Sequence, residues 1–315
     1  MTSEPAAADV MHDRVTSWYA DRARDLPWRR AGATPWGVLV SEFMLQQTPV
    51  ARVLPVYESW LARWPDPAAL AAEPAGEAVR AWGRLGYPRR ALRLHATATA
   101  MVDRHGGRVP ADPAELRALP GVGEYTAAAV AAFAYRRRTV VLDTNVRRVL
   151  GRLTRGEALP GTASPTTVER AAAEVLLPAD PAAAATWSVA VMELGALVCT
   201  ARSPRCDACP VAAGCRWLAA GRPVASRAVG RAQTFAGTDR QVRGLLLALL
   251  RAAPHALPRS RLEGVWPDQA QRERALDALV ADGLVEPVDA DAFALPGTHT
   301  RPPRAEKPTR HVNPR

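Results

Sequence analysis

Leu119-Pro120-Gly121-Val122-Gly123 stands between a helical pattern ending near Ala118 and an apolar helical pattern beginning near Glu124. Two glycines in so short a connection build a tight hairpin. They leave bare backbone amides at the start of the second helix, where the helix dipole favours an anion such as a DNA phosphate. An isolated G-x-G would read as a plain helix–helix turn. Here Thr139-Val140-Val141-Leu142 ends in Asp143, twenty residues after Gly123, and that distance sets the hairpin apart from an ordinary turn.

Around this point the chain reads as helical. Up to about Leu218, Ala/Leu/Val-rich segments of helical period alternate with breaks marked by Pro and Gly, and β-branched runs are scarce, so the first two thirds are expected to be all-α. Helices are expected at Val50–Trp64, Gly76–Trp82, Arg89–Arg104 and Pro113–Ala118, the last with Asp112 as N-cap and Pro113 at its first position. Residues 219–237 lose periodicity and turn basic and small, which predicts a linker. Helical patterns return at Asp239–Arg251, Ser260–Gly264 and Gln269–Asp282, and Leu284–Leu295 suits a short hairpin. That order suggests a small winged-helix-like α+β unit over 238–298. Residues 299–315 are rich in Pro and charge and are expected to be disordered.

All four cysteines of the chain, Cys199, Cys206, Cys209 and Cys215, fall within seventeen residues as C-x6-C-x2-C-x5-C. Short loops of unequal length let one compact turn bring four thiolates to the corners of a cube, so the run reads as a ligand set for a 4Fe–4S cluster. Zinc stays open as an alternative, although a zinc ribbon more naturally carries two C-x-x-C pairs and only Cys206 with Cys209 forms one. Disulfides need an oxidising compartment. The polar, acidic stretch Met1–Val10 does not look like a secretory signal, and a cytoplasmic, nucleoid-associated protein is expected.

Lys and Arg number 41 against 31 Asp and Glu, a formal charge of +10 with a pI near 10.4, and such a surface attracts phosphate. The longest apolar stretches, Thr126–Tyr135 and Gly244–Leu250, are too short to span a bilayer, so no membrane partner is expected. The nine tryptophans fall mostly at helical spacings among apolar residues, as at Trp60, Trp64 and Trp82, which points to core packing rather than base stacking. His95 and His105 have no clustered partners.

Over about residues 8–218 the sequence resembles the A/G-specific adenine DNA glycosylases, sisters of endonuclease III. The stretches that carry the resemblance are Leu26-Pro27-Trp28-Arg29, Ser41-Glu42-Phe43-Met44-Leu45-Gln46-Gln47-Thr48, Leu85-Gly86-Tyr87, the hairpin Leu119–Thr126, Asp143-Thr144-Asn145-Val146-Arg147-Arg148-Val149 and Met192-Glu193-Leu194-Gly195-Ala196. The resemblance implies a helix–hairpin–helix glycosylase fold, a six-helix barrel (28–136) beside a cluster domain formed by both chain ends (1–27 and 137–218), with the active site in the cleft between them. Its partner would be double-stranded DNA carrying A:8-oxoguanine or A:G mispairs, bound by a monomer.

Breaking an N-glycosidic bond builds positive charge on the sugar while the departing base needs a proton, so one acid and one anion suit the reaction. The resemblance makes Glu42 the acid, with a pKa raised by burial, and Asp143 the anion that stabilises the oxocarbenium-like centre or traps it. Asn145 would orient water or Asp143. Gln47 would fill the gap left by the extruded base, Leu45 line the adenine pocket and Tyr87 intrude beside the opposite purine. Trp28 and Arg29 would touch the base, and Gly121, Val122 and Gly123 a phosphate. Tyr125 stands where bifunctional relatives place a Schiff-base Lys, and the only lysine of the chain is Lys307, so a glycosylase without a lyase step is expected.

Three features depart from the family. Thr144 replaces the commoner Gly, Val189 stands where relatives carry a Gln or Glu at the adenine edge, and no Phe-Ser-His loop of a Nudix-like domain is present. Two rivals remain at this level. A thymine glycosylase for T:G mispairs would share fold, cluster and aspartate, whereas an iron–sulfur DNA-binding regulator would not need Glu42, Asp143 and Asn145 together.

Overall fold

The computed structural model describes residues 4–224 and 235–299. The middle of the expected linker, 225–234, and the expected disordered tail from residue 300 lie outside the described residues. In chain order the helices are α1 (Glu4–Arg22), α2 (Pro35–Leu45), α3 (Val50–Arg63), α4 (Pro67–Ala71), α5 (Ala75–Trp82), α6 (Arg89–His105), α7 (Pro113–Arg117), α8 (Glu124–Tyr135), α9 (Thr144–Leu150), α10 (Thr167–Val175), α11 (Pro181–Leu197), α12 (Arg216–Ala219), α13 (Asp239–Ala252), α14 (Arg259–Glu263) and α15 (Gln269–Ala281). The expected helices end within a residue or two of these bounds. Asp112 caps α7 as expected, accepting from the backbone N–H of Ala114 at 2.8 Å, a contact worth about 1 kcal/mol.

The described chain divides into two compact units. One runs to Ala69 and resumes at Ala96; the other takes Leu70–His95 and everything described from Phe235 onward.

In the first unit, α8 is apolar on every side, with Ala127, Ala129, Val130 and Ala131 all buried, as befits a helix surrounded by others. It packs against α2, buried from Trp36 to Met44. A second cluster joins α1, α9 and α11 through Val15, Val146, Val149, Trp187, Val191 and Leu194. α9 and α11 lie so close at Gly195 that a Cβ there would sit 2.8 Å from Asn145 Cβ and 3.0 Å from its backbone oxygen. Gly151–Arg155 continues α9 as a π-helical turn. The tryptophans expected in the core are there, Trp60 and Trp64 meeting edge to face at 4.6 Å.

In the second unit, α13, α14 and α15 are joined by a small antiparallel sheet of β1 (Leu257–Pro258), β2 (Glu286–Pro287) and β3 (Ala292–Ala294), with β3 central. Leu257 pairs with Phe293 and Glu286 with Ala294. The hairpin expected over Leu284–Leu295 is thus present, and the element order is that of a winged helix. β1 had no sequence signal, because two residues carry no period and one is proline, tolerated at a sheet edge. Packing is what this winged element does visibly: Arg251 Nε donates to the Val79 oxygen of α5 at 2.8 Å, Arg80 Nη1 to the Ala253 oxygen at 2.7 Å, and Gly76 N to the Pro296 oxygen at 2.7 Å.

Candidate active site

Glu42 sits near the end of α2 and is 6% exposed. It accepts a hydrogen bond from the Tyr125 hydroxyl, Tyr125 being the second residue of α8. Burial pushes the Glu42 carboxyl up to about 7, and the Asp143 charge adds to the rise, while the Tyr125 hydrogen bond and Arg29 pull it down. Burial likewise drives the Tyr125 phenol well above its ordinary value, so it remains a donor.

Asp143 is the N-cap of α9. One carboxyl oxygen accepts from Val146 N at 2.7 Å and the other from Asn145 Nδ2 at 2.8 Å. Burial raises this carboxyl too, against those hydrogen bonds and the charge of Arg148. Two amide donors and the Arg148 charge thus favour the Asp143 anion, whereas Glu42 has one hydroxyl donor and the charge of Arg29 against a larger burial effect and the Asp143 charge. A proton shared between the two environments belongs on Glu42.

Glu42, Leu45, Trp28, Arg29 and Val189 line one cleft of about 430 Å³. Trp28 is held edge to face against Tyr57 at 5.0 Å. Val189 presents only an apolar side chain to this space, so no hydrogen bond to a base arises there. Gln47 follows α2 on an exposed turn with φ +53, a left-handed conformation that costs a non-glycine residue about 1 kcal/mol or more and clusters at functional sites.

At the hairpin, Gly121 has φ +75 and Val122 is buried, its N–H closing a turn onto the Leu119 oxygen at 3.2 Å. Gly123 is the N-cap of α8 and supplies no side-chain cap. A Cβ added there would meet nothing within 4 Å, so the space beside the start of α8 is open, and unpaired amides at a helix start favour an anion. Tyr87 lies in the second unit, is 60% exposed and has φ +45 directly after Gly86 at φ +84.

Sequence reasoning assigned no role to Glu193, although a carboxylate inside a helix as apolar as α11 demands a partner. Its side chain is fully buried and is gripped by Arg24 Nε and Nη2, each at 2.7 Å, and by Arg29 Nη1 at 2.9 Å. Although burial opposes it, these guanidinium contacts hold the carboxyl down at about 2. Arg29 is thereby fixed at the cleft wall. Arg148 was also missed. Its Nη2 donates to Asn145 Oδ1 at 2.8 Å and to the Gly195 oxygen at 2.6 Å, and its Nε donates to the Cys199 oxygen at 2.7 Å.

Cys199 follows α11, Cys206 opens a short 3-10 turn, and Cys209 and Cys215 flank a second turn before α12. All four are free thiols, which removes the disulfide alternative. Each of the other three adds repulsion to the Cys209 thiolate, though burial is the main cause that lifts it to about 11. Among the described residues no three His, Cys, Asp or Glu side chains converge closely enough for a single metal ion. Arg152 Nη1 donates to Cys199 Sγ at 3.3 Å and its guanidinium stacks 4.2 Å over Trp217, placing positive charge beside the thiolates. On the same loop Arg205 Nη2 donates to the Leu197 oxygen at 2.6 Å, and both Arg202 and Arg205 are exposed.

The comparisons with known proteins agree with this geometry. Residues 40–178 match the HhH-GPD superfamily base excision DNA repair protein family, and residues 199–215 match the iron-sulfur binding domain of endonuclease III. The adenine DNA glycosylase of Mycobacterium tuberculosis is 51% identical over 299 residues, covering 93% of this chain and 97% of that protein. That of Mycolicibacterium smegmatis is 53% identical over 284 residues, covering 90% and 95%. Among solved structures, a thermostable thymine-DNA glycosylase matches with a TM-score of 0.62 and 25% identity, over 69% of this chain and 98% of that one. The cysteine run is a 4Fe–4S site, and among the described residues no helix is long and apolar enough to cross a membrane.

Proposed function

This chain belongs to the adenine DNA glycosylases, within the HhH-GPD superfamily of base excision DNA repair proteins, and on that premise we propose that it hydrolyses the N-glycosidic bond of adenine mispaired with 8-oxoguanine or guanine, as a cytoplasmic monomer, without cutting the strand. The observation that carries this reading is Glu42, a buried carboxyl with a pKa of about 7 on the wall of a base-sized cleft.

The hairpin amides at Gly121–Gly123 grip a phosphate, and Gln47 fills the space that the extruded adenosine leaves. Leu45 and Trp28 cover the base, with Arg29 held beside it by Glu193. Glu42, protonated near neutrality, gives its proton to the departing adenine. Asp143, kept anionic by Val146 N and Asn145, faces the positive charge that grows on the sugar. Water completes the substitution, its proton returning to a carboxylate. Tyr125 donates its hydrogen bond to Glu42 and offers no amine, so no Schiff base forms and the abasic strand stays intact. The cluster, when bound by Cys199, Cys206, Cys209 and Cys215, supplies a rigid cross-link with a closed ligand set. The nearby Arg152 balances its charge.

Single-turnover assays on duplexes containing A:8-oxoguanine, A:G, A:T and T:G, with and without hot alkali, test the reading. Breaks at adenine that need alkali support it. Breaks at thymine would move the chain to the thymine glycosylases, and alkali-independent breaks trapped by borohydride would overturn the monofunctional mechanism.

A further inference from the structure

Tyr87 is an exposed aromatic residue in a conformation that an unsupported chain would leave. Its backbone has φ +45 and it follows two left-handed glycines, Gly83 at φ +54 and Gly86 at φ +84. Two residues hold it there. Trp82, fully buried at the end of α5, donates its indole N–H to the Gly86 oxygen at 3.0 Å. Arg90, only 5% exposed, donates from Nη2 to the same oxygen at 3.1 Å, and its backbone N–H closes the turn onto the Tyr87 oxygen at 3.0 Å. The Arg90 guanidinium lies between two rings, 5.3 Å from the centre of Trp82 and 5.4 Å from the centre of Tyr87.

We propose that Arg90 is a positioning residue that fixes Tyr87 as a preformed probe for the base opposite the target adenine and tunes its preference for an electron-rich purine. The inference rests on the reading of Tyr87 as that probe. Arg90 itself need not touch DNA. Geometry supplies the first half of the argument: the guanidinium and the shared Gly86 carbonyl tie the Tyr87 ring to a buried tryptophan, so the ring stands ready before DNA arrives and less order is lost on binding. Electrostatics supplies the second. A cation against one face of an aromatic ring is attracted by its electron density, the more so when desolvated. The same cation draws electron density away from the other face, and an electron-poor ring stacks best on an electron-rich partner. Guanine and its 8-oxo derivative are the most electron-rich of the bases that can stand opposite adenine.

The test is a double-mutant cycle between Arg90→Met and Tyr87→Ala, with Arg90→Lys as the conservative variant, read as the ratio of single-turnover rates on A:8-oxoguanine and A:C duplexes. Arg90→Met is expected to shrink that ratio about tenfold, the scale of one base–aromatic stack, and Arg90→Lys to retain most of it. In a Tyr87→Ala background Arg90→Met should change the ratio no further. A purely structural role would show the reverse pattern, with an effect that persists when Tyr87 is absent, and would overturn the proposal. An unchanged ratio in Arg90→Met, with Tyr87→Ala still lowering it, would do the same. If Tyr87→Ala itself leaves the ratio unchanged, the reading of Tyr87 fails first, and that result is distinguishable from failure at Arg90. Should Arg90→Met not fold, Arg90→Gln runs the same cycle.

Discussion

At the scale of single residues, the candidate active site works against the stability of its own fold. With its pKa raised from 4.5 to about 7, Glu42 binds a proton more tightly in the folded chain than in the unfolded one. The stabilisation from that proton is full below about 4.5 and is lost as pH rises through about 7, an effect of at most about 3 kcal/mol. Glu42→Gln is therefore expected to abolish turnover while keeping DNA binding. It should also melt higher than the wild type at pH 8 yet alike at pH 5; an equal difference at both pH values would contradict a buried ionisation. The wild-type rate should fall as pH rises through about 7, since the acid form is consumed. Glu193 has the opposite sign: held down at about 2, it contributes stability above its unfolded value that disappears as pH falls toward 2. Glu193→Ala would leave Arg24 and Arg29 without their anion and should cost roughly 3–5 kcal/mol. Glu42, Asp143 and the cysteines were legible in the sequence because each lies in a short motif whose chemistry is local. The grip of Arg24 on Glu193 was not, because its partners stand 169 positions apart and no spacing rule joins them.

At the scale of elements, the informative contact is between α9 and α11. Gly195 lets the two backbones approach until only hydrogen fits beside Asn145. Gly195→Ala should push α9 away, destabilise the fold by about 2 kcal/mol and slow catalysis by moving Asn145 and Asp143. A variant that melts and turns over like the wild type would show that α9 can yield. Through Arg148, the same helix also hangs from the Cys199 carbonyl. Cys206→Ser is accordingly expected to lower folding yield and DNA affinity together, and normal stability with abolished catalysis would contradict a structural cluster. Most of these helices could be read from period and caps. α9 could be placed only by Asp143, since seven residues barely show a period, and the π-helical turn after it has no sequence signature; what holds Arg152 there is its stacking on Trp217 and its bonds to the cysteine loop.

At the scale of the molecule, charge is unevenly spread. The chain carries +10 overall, yet residues 235–299 hold seven arginines against nine carboxylates. Arg243 is tied to Asp282, Arg259 to Glu273, and the wing between β2 and β3 ends in Asp289 and Asp291. A winged helix so furnished offers no excess of positive charge to a phosphate backbone. Its visible work is to pack on α5, where a Cβ at Gly76 would come within 2.5 Å of Thr298 Cγ2 and 2.7 Å of the Pro296 oxygen. The helices of this unit were legible from period, but its membership was not, because nothing in residues 70–95 announces that they belong with a segment some 150 positions later. That membership sets a timetable for synthesis. At about 5–20 residues per second, a ribosome that has finished α5 needs on the order of 10–40 s to make the residues that cover it, and throughout that interval the nascent chain carries an unpartnered helix face that a chaperone must shield or a protease will find.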